Sequence, residues 1–257
     1  MAHFRDQKQY FMQICAQPDW ARAFAEAITD AAGAKAAVNP LLALLNRPDC
    51  RWQAVFALSL CLPLMAGENM ESARIFMRRL MWSLNEESGN LGWGIPEAMG
   101  AILARSPELT KEYGRVFLSY GYETGKDDNF LDHAPLRRGV YWGIGRLAEA
   151  SPEATLPALP HLVAALKDDD RFICAMAAWA LDGLAAGVPD ADFKEAKNAE
   201  SWQAAANALE HERKSRSLSG QADAETELLD RDTIITRPLS NILESALEHI
   251  NSRLERT

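Results

Sequence analysis

The chain has few of the residue patterns that announce chemistry. Of its 257 residues four are cysteines, Cys15, Cys50, Cys61 and Cys174, and none forms a Cys-x-x-Cys pair or stands at zinc-finger spacing from a histidine. That pattern argues against a disulfide framework and a structural zinc site. Three of the four lie in Ala/Leu-rich helical patterns, where a thiol acts as a small buried hydrophobe, so they are read as reduced core residues of a cytoplasmic protein. The five histidines, at 3, 133, 161, 211 and 249, make no HExxH or other ligand spacing. The glycines make no GxGxxG or GxxxxGK loop, and no GxSxG nucleophile elbow is present. No metal or cofactor is therefore expected. No apolar run reaches the about 18 residues a membrane span requires. The opening MAHFRDQKQYFMQICAQ spreads its charges and has no apolar h-region, so no secretory leader is read there. Positive charge is also short: 27 Lys and Arg against 36 Asp and Glu leave a net charge of −9. A general nucleic-acid binder needs a basic surface, so nucleic acid is not the expected partner.

What the chain does have is the 3.6-residue apolar period, almost throughout, with no convincing strand. Ala and Leu dominate, and both favour helix. Pro18-Asp19, Asn39-Pro40, Ser106-Pro107-Glu108, Ser151-Pro152-Glu153 and Arg237-Pro238 read as helix starts, with Ser106 and Ser151 as N-caps. The pattern predicts helices over 4–16, 18–32, 38–46, 50–66, 70–84, 91–105, 107–120, 135–149, 152–167, 170–187, 190–211 (broken) and 237–255.

Phe56, Trp93, Trp142 and Trp179 are each followed by a small and then an aliphatic residue, at separations of 37, 49 and 37 residues. The long interval holds the irregular stretch 121-GYETGKDDNFLD-132. A recurring unit of this length points to helix pairs stacked side by side, because one pair cannot bury both of its apolar faces alone. The small residue after each aromatic is expected to face an adjacent helix. The wording of Leu136–Leu147, with Arg137, Trp142, Gly143, Ile144, Gly145 and Leu147, resembles the HEAT-like repeat of the phycobilisome-lyase type. Cys50–Leu62 resembles it through Arg51, Phe56, Ala57, Leu58 and Leu62, and Ile173–Leu184 through Ala178, Trp179, Ala180, Leu181 and Leu184, without the Arg. The Trp93 unit lacks the Arg as well and has Pro96 where Gly145 stands later. The likeness covers roughly 36–187 and extends to bacterial HEAT-like proteins. It implies an all-α, right-handed solenoid of stacked antiparallel helix pairs and no defined reaction.

Two segments are candidate sites. Pro96, flanked by Gly92 and Gly94, either starts a helix or kinks one. Trp93 and Glu97 beside it read either as a ligand pocket or as a capped repeat with a core indole. The second segment, 129–146, gathers Asn129, Asp132, His133, Arg137, Arg138, Trp142 and Arg146 around one helix start. It reads either as an anion or carboxylate site, or as Arg137 joining repeats through an acid or loop carbonyl with Arg138 and Arg146 solvated and His133 a surface cap; Asp132 or His133 is the expected cap of the helix. Glu97, one repeat earlier, is expected to share a concavity with these arginines.

The domain reading is a repeat domain over 1–212, a flexible linker or loop over 213–236 and a C-terminal amphipathic helix over 237–257. The stripe Leu239, Ile242, Leu243, Ala246, Leu247, Ile250 and Leu254 must be covered, by the last repeat, by the inner groove or by a second subunit as a homodimer. The functional expectation is a non-enzymatic scaffold binding a protein partner along its concave face, with no membrane involvement. The alternative is a small-ligand binder or enzyme using the Trp/Glu/Arg cluster.

Overall fold

Caps, prolines and buried stripes set the element boundaries. The computed structural model describes residues 2–84, 92–123, 129–219 and 223–256, and the chain divides into two compact units, residues 1–113 with 229–234, and residues 114–228 with 235–257.

The first unit opens with α1 (Ala2–Cys15), α2 (Trp20–Ala27) and α3 (Ala31–Leu44). Asp30 caps α3 by accepting from the Gly33 N–H at 2.7 Å. Pro40, expected to mark a start, instead lies buried inside α3. The Asp30 cap begins that helix earlier, and continuous burial outweighs the one backbone bond the proline removes. Next come α4 (Arg51–Glu68), α5 (Met70–Leu84) and α6 (Ile95–Leu103). α4 packs on α3 and α6, as a repeated helix pair requires. The helix predicted over 91–105 begins only at Ile95: Gly94 has a left-handed φ of 73° and Pro96 sits in the first turn. Pro96 thus starts a helix and kinks none, and Trp93 lies in the turn before it, whereas Phe56 is mid-helix.

The division between the units falls within α7 (Pro107–Ser119). The second unit contains α8 (Ala134–Ala150), α9 (Pro152–Thr155), a 3-10 turn (Leu156–Ala158), α10 (Leu159–Ala165) and α11 (Arg171–Gly187). The helix predicted over 152–167 is broken because Pro157 and Pro160 cannot supply ladder N–H groups. α12 (Asp190–Lys194) and α13 (Ala196–Ser219) follow. The core row is α8 against α11, and its close approach runs through glycines. A Cβ at Gly183 would lie 2.9 Å from the Gly145 carbonyl, and one at Gly187 would lie 2.9 Å from that of Ala148. Gly145, three after Trp142, is a small residue that admits the neighbour, since its own Cβ would strike the Trp179 ring. Gly143, expected in that role, is also buried in α8. Phe56, Trp142 and Trp179 are buried mid-helix residues of α4, α8 and α11.

The segment expected as a linker carries structure instead. α13 runs on to Ser219, and β1 (Glu225–Asp230) pairs with β2 (Thr233–Pro238). Arg231 turns the chain between them at a left-handed φ of 58°. Thr233, Ile234, Ile235 and Thr236 are β-branched, which favours strand over loop, and Leu228 and Leu229 bury the hairpin. α14 (Leu239–Leu254) then lays its apolar stripe on α11 and α13, so that stripe is covered within the chain. Arg253 fastens it, donating to the carbonyls of Ala185 and Val188 and to Asp190 at 2.5 Å. The fold class is thus all-α stacked helix pairs, with one hairpin added. All four cysteines are buried and unbridged.

Candidate functional site

Two arginines do the same job in different repeats. Arg51 Nε donates to the Leu45 carbonyl at 3.2 Å, and Arg137 Nη1 donates to the Leu131 carbonyl at 2.9 Å, each reaching six residues back. Each lies five residues before its aromatic anchor, Phe56 or Trp142. The repeat arginine ties the start of its helix to the loop that feeds it.

The 129–146 segment folds largely onto itself and onto the start of α11. Arg137 also donates to the Asp132 carbonyl at 2.7 Å, approaches Asp168 at 3.5 Å and covers the Phe130 ring at 5.0 Å. Arg138 forks onto Asp170, with contacts of 2.6, 3.1 and 3.2 Å, and stacks over Phe172 at 4.5 Å. Asp170 in turn caps α11 by accepting from the Phe172 and Ile173 N–H groups. Burial alone would raise the Asp170 carboxyl, but Arg138 and these two N–H groups hold it below its ordinary value. Asn129 donates to Ser119 at 3.2 Å, and Arg146 pairs with Glu149 at 2.6 Å. His133 occupies the N-cap position of α8 without a side-chain cap bond, while Asp132 contributes its carbonyl to Arg137. Trp142 is 1% exposed. Arg137 and Arg138 are thus engaged at helix starts by the chain's own acids and carbonyls, and Arg146 by Glu149 within α8, so Arg138 and Arg146 are paired where solvated side chains were expected.

Glu97 meets a different arginine from those expected. The charged side chain acting on it is Arg51, whereas Arg137 and Arg138 face Asp168 and Asp170. Gly94 places the start of α6 against α4: a Cβ there would lie 3.1 Å from Leu45 Cβ and 3.2 Å from Arg51 Cγ, and its φ of 73° is one that residues with a side chain rarely adopt. Arg51 stands over the Trp93 ring at 5.9 Å. Glu97 is half-buried as a residue, but its Oε2 is sealed from solvent and has no hydrogen-bond partner. Burial pushes this carboxyl up to about 7, against the opposing pull of its own backbone N–H and Arg51. An acid of this kind accepts or releases a proton near neutrality.

Sequence reasoning missed two features. One is the outer face of α5. Its inward stripe is Ala73, Phe76, Met77, Leu80 and Leu84, yet Ile75 is 58% and Trp82 is 76% exposed. The two lie seven residues apart, on one face and off the stripe, and a helical wheel of 70–84 would have revealed them. Arg78 and Arg79 lie between them, held by Glu71 and Asn39. The other is Asp182, which accepts from Ser245 at 3.2 Å and meets His249 Nδ1 at 2.8 Å. Both contacts go to the carboxylate, so the hydroxyl is not activated as in a Ser-His-Asp relay. Among the described residues no His, Cys, Asp and Glu group could hold a metal ion, and no helix is long and apolar enough to cross a membrane.

No protein-family model and no curated protein matches the chain. Among solved structures it is similar to an engineered structural-genomics protein, with 19% identity over 96% of this chain and 97% of that one, at a TM-score of 0.49. It is also similar to a designed armadillo repeat protein, with 18% identity over 94% and 99% of the two chains, at 0.44. A computationally designed armadillo repeat protein for modular peptide recognition aligns with 17% identity over 93% and 98%, at 0.47.

Proposed function

We propose that the chain is a non-enzymatic protein-binding scaffold that engages its partner through the outer face of α5. The observation that carries this is the exposure of Trp82 together with Ile75, beside Arg78 and Arg79. An exposed indole and an aliphatic side chain on one rigid helix form an apolar patch that water solvates poorly, and Trp and Arg are the residue types that dominate interface energetics. α5 carries three arginines against one glutamate in a chain whose net charge is −9, so its favoured partner is an acidic segment bearing a bulky apolar side chain. The ion pairs of Arg74 and Arg78 are solvent-exposed, worth little, and readily exchanged for a partner's carboxylates. The arginines and Trp142 of the 129–146 segment are engaged within the fold and take no part in this reading.

The test is a random-peptide display selection on the whole protein, counter-selected on the Ile75→Ala/Trp82→Ala variant. The expected result is enrichment of acidic peptides with an aromatic or aliphatic anchor that bind the parent and not the variant. Peptides that bind both proteins equally, or a selection that enriches nothing, would overturn it.

A further inference from the structure

Resting on α5 as the docking face, we infer that its partner is itself an α-helix, laid along α5, with large apolar side chains at positions i and i+7 and carboxylates at i+3 and i+4. The exposed residues of α5 are Glu71, Ile75, Arg78, Arg79 and Trp82. Glu71, Ile75, Arg78 and Trp82 follow one another at intervals of four, three and four, which is the spacing of a seam between two packed helices. At about 100° per residue this row lies on the side of α5 away from Ala73, Phe76, Met77 and Leu80. One helix thus carries two seams. The protein's own core fills one, and the other faces solvent with Ile75 58% and Trp82 76% exposed.

Distance selects the helix. Ile75 and Trp82 are separated by two turns, about 10.5 Å along the axis. In an extended segment the side chains of one face recur about 6.7 Å and then about 13 Å apart, so neither interval matches both anchors. A partner helix matches them with its own residues i and i+7. Charge places the acids. Arg78 and Arg79 stand midway between the anchors, and the partner residues midway on the same face are i+3 and i+4. Among the described residues Arg79 has no acid partner and donates to the Asn39 amide, so a carboxylate supplied by the partner meets an uncompensated charge there. A second copy of α5 does not fit this face. Antiparallel packing that sets Ile75 on Trp82 of the copy centres the symmetry axis between residues 78 and 79 and crowds their guanidinium groups together. Parallel packing sets each arginine on its own copy.

The experiment displays three patterned peptide libraries, built in one Ala-rich frame, against the whole protein. The first has apolar anchors at i and i+7 and glutamates at i+3 and i+4. The second moves the later anchor to i+5, off that face, and the third is the first with a proline at i+5. Binders are expected from the first library, and they should lose at least about tenfold in affinity when given the shifted anchor or the proline. They should also fail to bind Ile75→Ala/Trp82→Ala. Binders that come equally from the second or third library and are lost on the variant would overturn the helix while leaving α5 as the docking face. First-library binders that hold the variant as tightly as the parent would overturn it too. So would a failure of all three libraries, and the unpatterned selection described above then decides separately whether α5 binds peptides at all.

Discussion

Gly145→Ala should destabilise the protein although alanine is the better helix former. In an open helix position the exchange gains about 1 kcal/mol. At Gly145 the new Cβ would lie 2.4 Å from Trp179 Cδ1, 2.7 Å from its Nε1 and 3.1 Å from Ala180 Cα. The first two atoms belong to a rigid buried ring and the third to backbone, so α11 must move away from α8 or Trp179 must leave its rotamer. Overpacking of this kind costs about 3 kcal/mol or more. The net loss is about 2 kcal/mol, a fall in melting temperature of roughly 4–8 °C for a chain of this size. Gly67 is the internal control: it lies in α4, and a Cβ there meets nothing within 4 Å. Gly67→Ala should therefore gain up to about 1 kcal/mol. Both variants are read by thermal and urea unfolding followed by circular dichroism. If Gly145→Ala melts at or above the parent, the close approach of α8 and α11 is not what requires glycine, and the packing argument fails.

Trp142→Ala should cost about 3–5 kcal/mol by opening a cavity in α8, and a parent-like melt would contradict its role as a core anchor. Asp170→Ala removes the α11 cap and the Arg138 pair together, and should cost about 2 kcal/mol at neutral pH in urea unfolding. Because the folded carboxyl is held below its ordinary value, that contribution is present above about pH 4 and lost as pH falls through the folded value; an Asp170→Ala deficit unchanged down to pH 2 would refute this. Glu97 has the opposite sign. Its folded carboxyl stays protonated up to about 7 while the unfolded one ionises from its ordinary 4.5, so stability falls as pH rises across that window, by about 3 kcal/mol in all. Glu97→Gln should abolish this slope in urea unfolding measured at several pH values, and an unchanged slope would remove Glu97 as its source.

The repeat was legible where the pattern sits mid-helix. Phe56, Trp142 and Trp179 occupy matching buried positions, and the arginines five residues before two of them make the same bond to the preceding loop. Trp93 shares the wording but not the place, because Gly94 in a left-handed conformation and Pro96 delay the helix to Ile95. The arginines of 129–146 resembled an anion fork in sequence because their partners, Asp168 and Asp170, lie some thirty residues on. Asp170 caps α11 as a local feature, and nothing in the spacing hints that it also faces Arg138. The hairpin at 225–238 was hidden by its charged neighbours, which resemble a linker in composition although Thr233–Thr236 is a β-branched run. The α5 face went unread because an exposed Trp is the same residue type as a buried one, and only its place off the stripe of Ala73, Phe76, Met77 and Leu80 sets Trp82 apart. Arg51 entered only as part of a repeat, since nothing in the sequence brings it beside Glu97, forty-six residues later.

The central claim, that this array presents α5 to a protein partner, is tested most directly by pairing two readings on one variant. Ile75→Ala/Trp82→Ala removes side chains that touch mostly solvent, so its thermal melt should overlay that of the parent. Its affinity for a peptide selected on the parent should fall by at least about a hundredfold, the scale of losing a Trp-centred hot spot. A parent-like melt with lost binding is the predicted result. Unchanged peptide affinity would contradict the account.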